Sequence, residues 1–577
     1  MLQLSLFALA ATCASIVTTS ASPTPVLAKR TSPTEPPPVI DLGFSRVQGY
    51  LNSTNSQYYW KGIRYASADR FQAPQIPDPH AAVMNASEYG PACWQAGFDG
   101  QVTLQGQGPI VNFPAYTIQS EDCLVLNINA PAGSCEGSNL PVMVWIHGGG
   151  YVFGAAGPGT DFADFITNAG NNIVVVQLQY RLGPFGFLGG QATKDYGVLN
   201  AGLLDQQFGL QWVQKHISKF GGDPSHVTIW GESAGAGSVL NHVIANGGNT
   251  QKALGLSKPL FQAAMGSSVF LPSQFKYNSD IVEGIYDSLA EAVGCSNSTV
   301  GVFRCLQATD AAVISSAGVN LSEAIGYGSW LWDPSIEGKG GFLEDRATVL
   351  LASGTRNGQK FLGISNSHEG YGATDPTLLG DNTTDASQLA KQFDAALASY
   401  YPYLTSAERQ LVAQQYPITD APEAGNNTFQ RIEQVIGDST FICPTYWTAE
   451  AFGVNGWKGT FNYGNAHHAD DAAWYDGPIW NPDSYGPHSV SALTSFIGGF
   501  EGFIQAYDPN NNPATDINPY WPTFDSYQQM FFNTTTRSTD SAAAPHIIDS
   551  TSLRNFGTSQ LAKCDFWRGN ISVNAGL

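Results

Sequence analysis

Gly231-Glu232-Ser233-Ala234-Gly235 fits Gly-x-Ser-x-Gly and follows directly on the short apolar run 227–230. A serine between two glycines at the end of a buried strand lifts its hydroxyl out of the backbone on a sharp turn, where it can attack a carbonyl carbon. The glycines are needed because the turn strains the serine backbone and brings strand and following helix too close for side chains. Residues 234–238 are all small, which lets that helix pack hard on the sheet. In a chain with 62 glycines an ordinary turn would give the same five residues, so the partners of such a serine decide the matter.

Acyl transfer needs donors for an oxyanion, a base for the serine proton and an acid to orient the base. His147-Gly148-Gly149-Gly150-Tyr151 follows the apolar run 141–146, and consecutive glycines leave backbone N–H groups free to face an anion. Gly149 and Gly150 are the expected donors, with the Ala234 N–H as a third. The base is sought among late histidines, because the chain order on this type of scaffold is serine, acid, histidine. His467 and His468 follow the apolar run 460–463, whereas His488 and His546 lie in Pro-flanked text; composition does not choose between 467 and 468. The acid candidate is Glu369, in His368-Glu369-Gly370 after the run 361–364, where a helix cap or a solvated carboxylate is an equal reading.

These residues need a scaffold that brings them to one edge. Apolar runs at 124–128, 142–146, 173–178, 227–230, 361–364 and 460–463, each bounded by turn residues, read as strands covered on both faces. A helical stretch over 202–219 lies between two of them. The alternation predicts an α/β fold with a mostly parallel central sheet wrapped by helices. At 577 residues two domains are the default. With no repeat and no clean linker, a single large elaborated domain is the expectation, spanning 47–577.

Composition narrows the partners. With 26 Lys+Arg against 47 Asp+Glu and a net charge of −21, the chain repels nucleic acid and anionic membrane surfaces. Residues 1–21 resemble a secretory signal, and 22–30, ending in Lys29-Arg30, a propeptide with a dibasic end. A Pro-rich extended tail is expected over 31–46, with order beginning near Val47. Setting Cys13 aside with the leader leaves seven cysteines for an oxidising compartment. Asn52, Asn85, Asn297, Asn320, Asn382, Asn426, Asn533 and Asn570 each open an Asn-x-Ser/Thr sequon. No apolar run suits a bilayer span. The expectation is a secreted glycoprotein without stable membrane insertion, metal or organic cofactor, acting on a small-molecule or lipid ester.

Beyond the serine, glycine and histidine motifs, Gly62-Ile63-Arg64-Tyr65-Ala66, Ser120-Glu121-Asp122-Cys123-Leu124-Val125-Leu126-Asn127, Tyr180-Arg181-Leu182-Gly183-Pro184-Phe185-Gly186-Phe187 and Gly202-Leu203-Leu204-Asp205-Gln206 appear in order. Together they resemble the type-B carboxylesterase/lipase family of α/β-hydrolases, over a match from about Val47 to the C-terminus. The resemblance implies a Ser233, Glu369, His468 triad, because Ala469, Asp471 and Gly477 fit the family context of His468, with His467 in reserve. It implies disulfides Cys93–Cys123 and Cys295–Cys305 and structural ion pairs Arg70–Glu121 and Arg181–Asp205. Cys135, Cys443 and Cys564 then remain, an odd set that predicts at least one free thiol, with Cys443–Cys564 as a guess. The loop after Tyr65-Ala66 is shorter than usual in the family. The first disulfide loop, where relatives carry a lid or a choline-binding tryptophan, has Trp94 beside Cys93 and neither an amphipathic stripe nor an aromatic at 101–108. Phe113, Pro114, Tyr116, Tyr151 and Phe153 are candidate gorge walls. A serine carboxylesterase is the reading implied, with a triacylglycerol or sterol ester lipase as the alternative and a catalytically inactive adhesion module as a third.

Overall fold

The computed structural model describes residues 37–97, 118–157, 160–326, 328–380, 385–418, 427–475, 490–513, 516–537, 546–569 and 571–577. The leader, the propeptide, Phe113, Pro114, Tyr116, the loop 101–108, Gly477, His488, Asn382, Asn426 and Asn570 lie outside them.

Each apolar run falls on a strand, with shifted bounds: 227–230 and 361–364 lie inside longer strands, 173–178 shortens to Val174–Leu178, and Leu124 and Tyr463 lie just outside theirs. The strands join one sheet. From one edge its order is His546–Asp549, Gln528–Arg537, Gly456–Asn462, Lys360–Asn366, Ala263–Ser267, Gly222–Glu232, Leu140–Ile146, Val174–Leu178, Val125–Pro131, Gln57–Arg64 and Tyr50–Asn52, with Ser552–Asn555 also on Gln528–Arg537. The strands from Gln528–Arg537 to Val174–Leu178 run parallel, and the pairings on either side are antiparallel. Alternate residues of a strand face opposite ways. Val142, Val144 and Ile146 therefore enter one core cluster, Met143 and Trp145 the other. Burial on both faces is why these strands read as continuous apolar text.

Strand Ala263–Ser267, Ala-Ala-Met-Gly-Ser, was not expected from the sequence. Four of its five residues are small, and space at Gly266 is tight: a Cβ there would approach Val269 Cγ2 to 2.6 Å and Ala236 Cβ, on helix Ala234–Gly248, to 3.6 Å. The helix expected over 202–219 forms as Ala201–His216 and tightens into a 3-10 turn at Ile217–Phe220. The tail gives way to structure earlier than expected. Ile40–Asp41 pairs with Arg46–Gln48, and Ile40 and Leu42 are buried; two apolar residues straight after the prolines anchor this start.

Covalent and ionic ties hold the excursions from the sheet. Cys93 bonds Cys123, Cys295 bonds Cys305, and Cys443 bonds Cys564 across 121 residues. Among the described residues no cysteine is free, against the expected unpaired thiol. Arg181 Nη2 lies 2.7 Å from Asp205 Oδ1 with both side chains buried, and Arg70 Nη2 2.5 Å from Glu121 Oε2. Among the described residues no helix is long and apolar enough to cross a membrane.

Candidate active site

Strand Gly222–Glu232 ends at Ser233, and helix Ala234–Gly248 begins on the next residue. Ser233 has φ 56° and ψ −125°, a conformation that costs a non-glycine residue on the order of 1–3 kcal/mol. Its surroundings hold it there: Ser233 N–H donates to Ser267 O at 2.9 Å, and Gly237 N–H to Ser233 O at 2.9 Å. The flanking glycines are obligatory by contact. A Cβ on Gly231 would stand 2.4 Å from the Gly235 carbonyl carbon, and one on Gly235 would stand 2.0 Å from Ile146 O. The hydroxyl is thereby presented at the carboxyl edge of the parallel strands, with the residue 8% exposed.

The glycine loop follows Leu140–Ile146, the neighbouring strand. Gly149 and Gly150 have φ of +104° and +58°, the region glycine enters without steric cost. Gly149 O accepts from Val152 N and Phe153 N, closing the loop on itself at 3.0 Å each. Among the described residues, the N–H groups of Gly149, Gly150 and Ala234 donate to no protein acceptor. His147 is tied back, its Nδ1 2.9 Å from Gly148 O and its ring stacked on Tyr180; burial lowers it to about 4. It is a structural histidine.

Three strands contribute to one line of contacts. His468 Nε2 lies 2.9 Å from Ser233 Oγ, and His468 Nδ1 2.7 Å from Glu369 Oε2. Glu369 is buried, and its other oxygen accepts from Asn366 N at 2.6 Å and Ser268 Oγ at 2.7 Å. His467 points elsewhere: its ring stacks on Tyr371 at 4.0 Å. The neighbours that composition left equal are separated by a turn in which Ala466 and Ala469 take positive φ.

More carboxyl groups gather here than the triad itself needs. Glu232 Oε1 stands 3.5 Å from His468 Nε2 and is buried without a hydrogen bond. Burial pushes Glu232 up to about 8, with His468 opposing and Asp471 and Glu369 adding. Asp471, three residues after His468, accepts from Asn366 Nδ2 at 2.9 Å and Tyr475 OH at 3.0 Å; burial raises it to about 6. Burial by itself would lower His468. The hydrogen bond and charge of Glu369, then the charges of Glu232 and Asp471, reverse that and raise it above its ordinary value.

Apolar walls come from residues that the sequence reading did not single out. The Phe441 ring lies 4.3 Å from that of His468 and packs on Phe270 and Trp330. A Cβ on Gly150 would meet the Trp330 indole at 3.4 Å. Phe441 sits on a π-helical turn, Asp438–Ile442, a geometry no local pattern announces and one often found at functional sites. Of the expected walls, Tyr151 is buried in the core beneath the loop and Phe153 is half-buried. Among the sequons, Asn85, Asn297 and Asn320 are exposed and Asn52 and Asn533 half-buried.

The arrangement can take a proton from a hydroxyl, pass it to an imidazole braced by a carboxylate, and hold a new oxyanion on backbone N–H groups. Comparison with known proteins points to ester hydrolysis. The model for "Carboxylesterase family" matches residues 36–553. Lipase 2 of Geotrichum candidum is 33% identical over 414 residues, 67% of this chain and 72% of the relative. Lipase 5 of Diutina rugosa is 32% identical over 486 residues, 78% and 83% of the two chains. Secreted lipase 1 of Botryotinia fuckeliana is 30% identical over 503 residues, 80% and 82%. The crystal structure of Aspergillus niger EstA superposes with a TM-score of 0.76 at 26% identity, covering 94% of this chain and 99% of that one.

Proposed function

Because the chain belongs to the carboxylesterase family and is therefore a carboxylic ester hydrolase of the α/β-hydrolase fold, we propose that it works through an acyl-enzyme on Ser233, with His468 as base and Glu369 as its orienting acid. The observation that carries this reading is the unbroken pair of contacts, 2.9 Å from Ser233 Oγ to His468 Nε2 and 2.7 Å from His468 Nδ1 to Glu369 Oε2. His468 Nε2 takes the Ser233 proton as the oxygen attacks the ester carbonyl. The oxyanion settles on the N–H groups of Gly149, Gly150 and Ala234, and the imidazolium donates through Nδ1 to Glu369. The same Nε2 then protonates the leaving alcohol. Water repeats the cycle against the acyl-enzyme, His468 again acting as base, and releases the acid.

The substrate is a small-molecule carboxylic ester whose acyl group meets Phe441, Trp330 and Phe270. The triacylglycerol or sterol ester reading draws on relatives named lipases. The contacts among Ser233, His468 and Glu369 weigh against an inactive adhesion module. Disulfides and a relative named a secreted lipase support secretion, with residues 1–21 as the signal and 22–30 as the propeptide. The test is Ser233→Ala on a short p-nitrophenyl ester: kcat should fall by about 10⁴-fold or more, and undiminished activity would overturn the mechanism. Running the native enzyme on emulsified and dissolved esters separates the two substrates, since a rate jump at the emulsion interface would favour the lipid ester.

A further inference from the structure

Lys458 is fully buried in the middle of strand Gly456–Asn462, where β-sheet text ordinarily places an apolar side chain. Its Nζ donates to Ser365 Oγ at 3.1 Å, Gln529 Oε1 at 2.9 Å and Gly459 O at 3.3 Å, with Thr460 Oγ1 at 3.4 Å, and lies 5.1 Å from the centre of the Phe556 ring. All four oxygens are neutral, and among the described residues no carboxylate touches the ammonium. A buried cation without a counter-ion in contact is expensive, and such costs persist where function needs the charge. Burial lowers Lys458 to about 7; the one charge acting back on it is Glu369.

What needs a positive charge is next to it. Ser365, which Lys458 grips, precedes Asn366, whose N–H holds Glu369 Oε1. Around His468 gather the buried Glu369, 2.7 Å from Nδ1, the half-buried Glu232, 3.5 Å from Nε2, and the buried Asp471, whose charges all act on the imidazole, and the Phe441 ring packs on it at 4.3 Å. Left unbalanced, that much negative potential would keep a proton on the Glu369–His468 pair and withhold the free base. We propose that Lys458 is a positioning residue for the reaction: its ammonium, held by Ser365 on the strand that leads to Glu369 and by Gln529, offsets the gathered carboxylates and lets His468 release its proton at working pH. A nearby positive charge makes proton uptake by the pair harder however the proton is shared between its members. A neutral clamp across three strands would not need an ammonium.

The inference rests on the triad reading, and its test separates the two. Native enzyme, Lys458→Met, Lys458→Gln and Ser233→Ala are compared by kcat/KM for a short soluble ester in a pH-stat, with thermal unfolding measured alongside. Both Lys458 variants should move the acid limb of the pH profile to higher pH by about half a unit to one unit, with kcat/KM at pH 6 down several-fold. A limb that stays in place in the variant that folds, even with a lower rate, would reduce Lys458 to a structural role and overturn the proposal. If Ser233→Ala is fully active, the triad reading falls and this one with it. If Ser233→Ala is dead and the limb is unmoved, only the Lys458 inference fails.

Discussion

Glu232 and His468 form a second carboxyl–imidazole approach: Oε1 of Glu232 is 3.5 Å from the same Nε2 that faces Ser233, on the opposite end of the ring from Glu369. Glu232 accepts no hydrogen bond at that oxygen and is pushed up to about 8 by burial, while its charge raises His468. The two therefore titrate as a coupled pair, not as separate sites.

From that coupling follows the effect of Glu232→Gln. Removing a negative charge beside an imidazolium lowers its pKa, so the acid limb of kcat/KM should move to lower pH, by about half a unit or more. The native limb itself should lie above the ordinary histidine value, because His468 is raised. A limb unchanged by Glu232→Gln would show that the two groups do not interact.

Ser268 donates to Glu369 Oε1 at 2.7 Å and accepts from Asn366 Nδ2 at 3.2 Å. Ser268→Ala leaves a buried carboxylate oxygen with one donor fewer, a loss of about 1.5–3 kcal/mol for a hydrogen bond to a charged group. The expected outcome is kcat down by about 10-fold or more with KM little changed, read by steady-state kinetics. A change confined to KM would contradict it.

Trp330 stands beside Gly150 and closes the aromatic wall with Phe441 and Phe270. Trp330→Ala opens space next to the reacting carbonyl. The octanoate-to-butyrate ratio of kcat/KM should rise by about 10-fold, since a methylene accommodated in an apolar pocket is worth about 1–3 kcal/mol. An unchanged ratio would place the acyl group elsewhere.

Sequons differ in what surrounds them. Asn297 is exposed between Cys295 and Cys305, whereas Asn533 lies within strand Gln528–Arg537 and accepts from Asn462 Nδ2 at 3.0 Å. Peptide mapping of the protein expressed through a eukaryotic secretory pathway should find glycan on Asn297 and none on Asn533; the reverse pattern would contradict it.

Much of this was legible because it is written locally. A nucleophile turn, a glycine loop and buried parallel strands each leave a mark within a few residues, so Ser233, Gly149 and the sheet core could be read directly. Glu369 and the choice of His468 over His467 needed the family resemblance, since a carboxylate before a glycine and a pair of adjacent histidines have no local mark of their own. Strand Ala263–Ser267 was hidden because four of its five residues are small, where strand text favours β-formers. Ser268, Asn366 and Lys458 were invisible for a different reason: they make contacts 71 to 105 positions away along the chain, and Phe441 is placed by a π-helical turn.

Covalent capture tests the central claim most directly. Enzyme treated with a p-nitrophenyl phosphonate and digested should carry the phosphonyl mass on the peptide containing Ser233, at one equivalent per chain, with labelling lost in His468→Ala. Label on another residue, or undiminished labelling of Ser233 without the imidazole, would contradict the account.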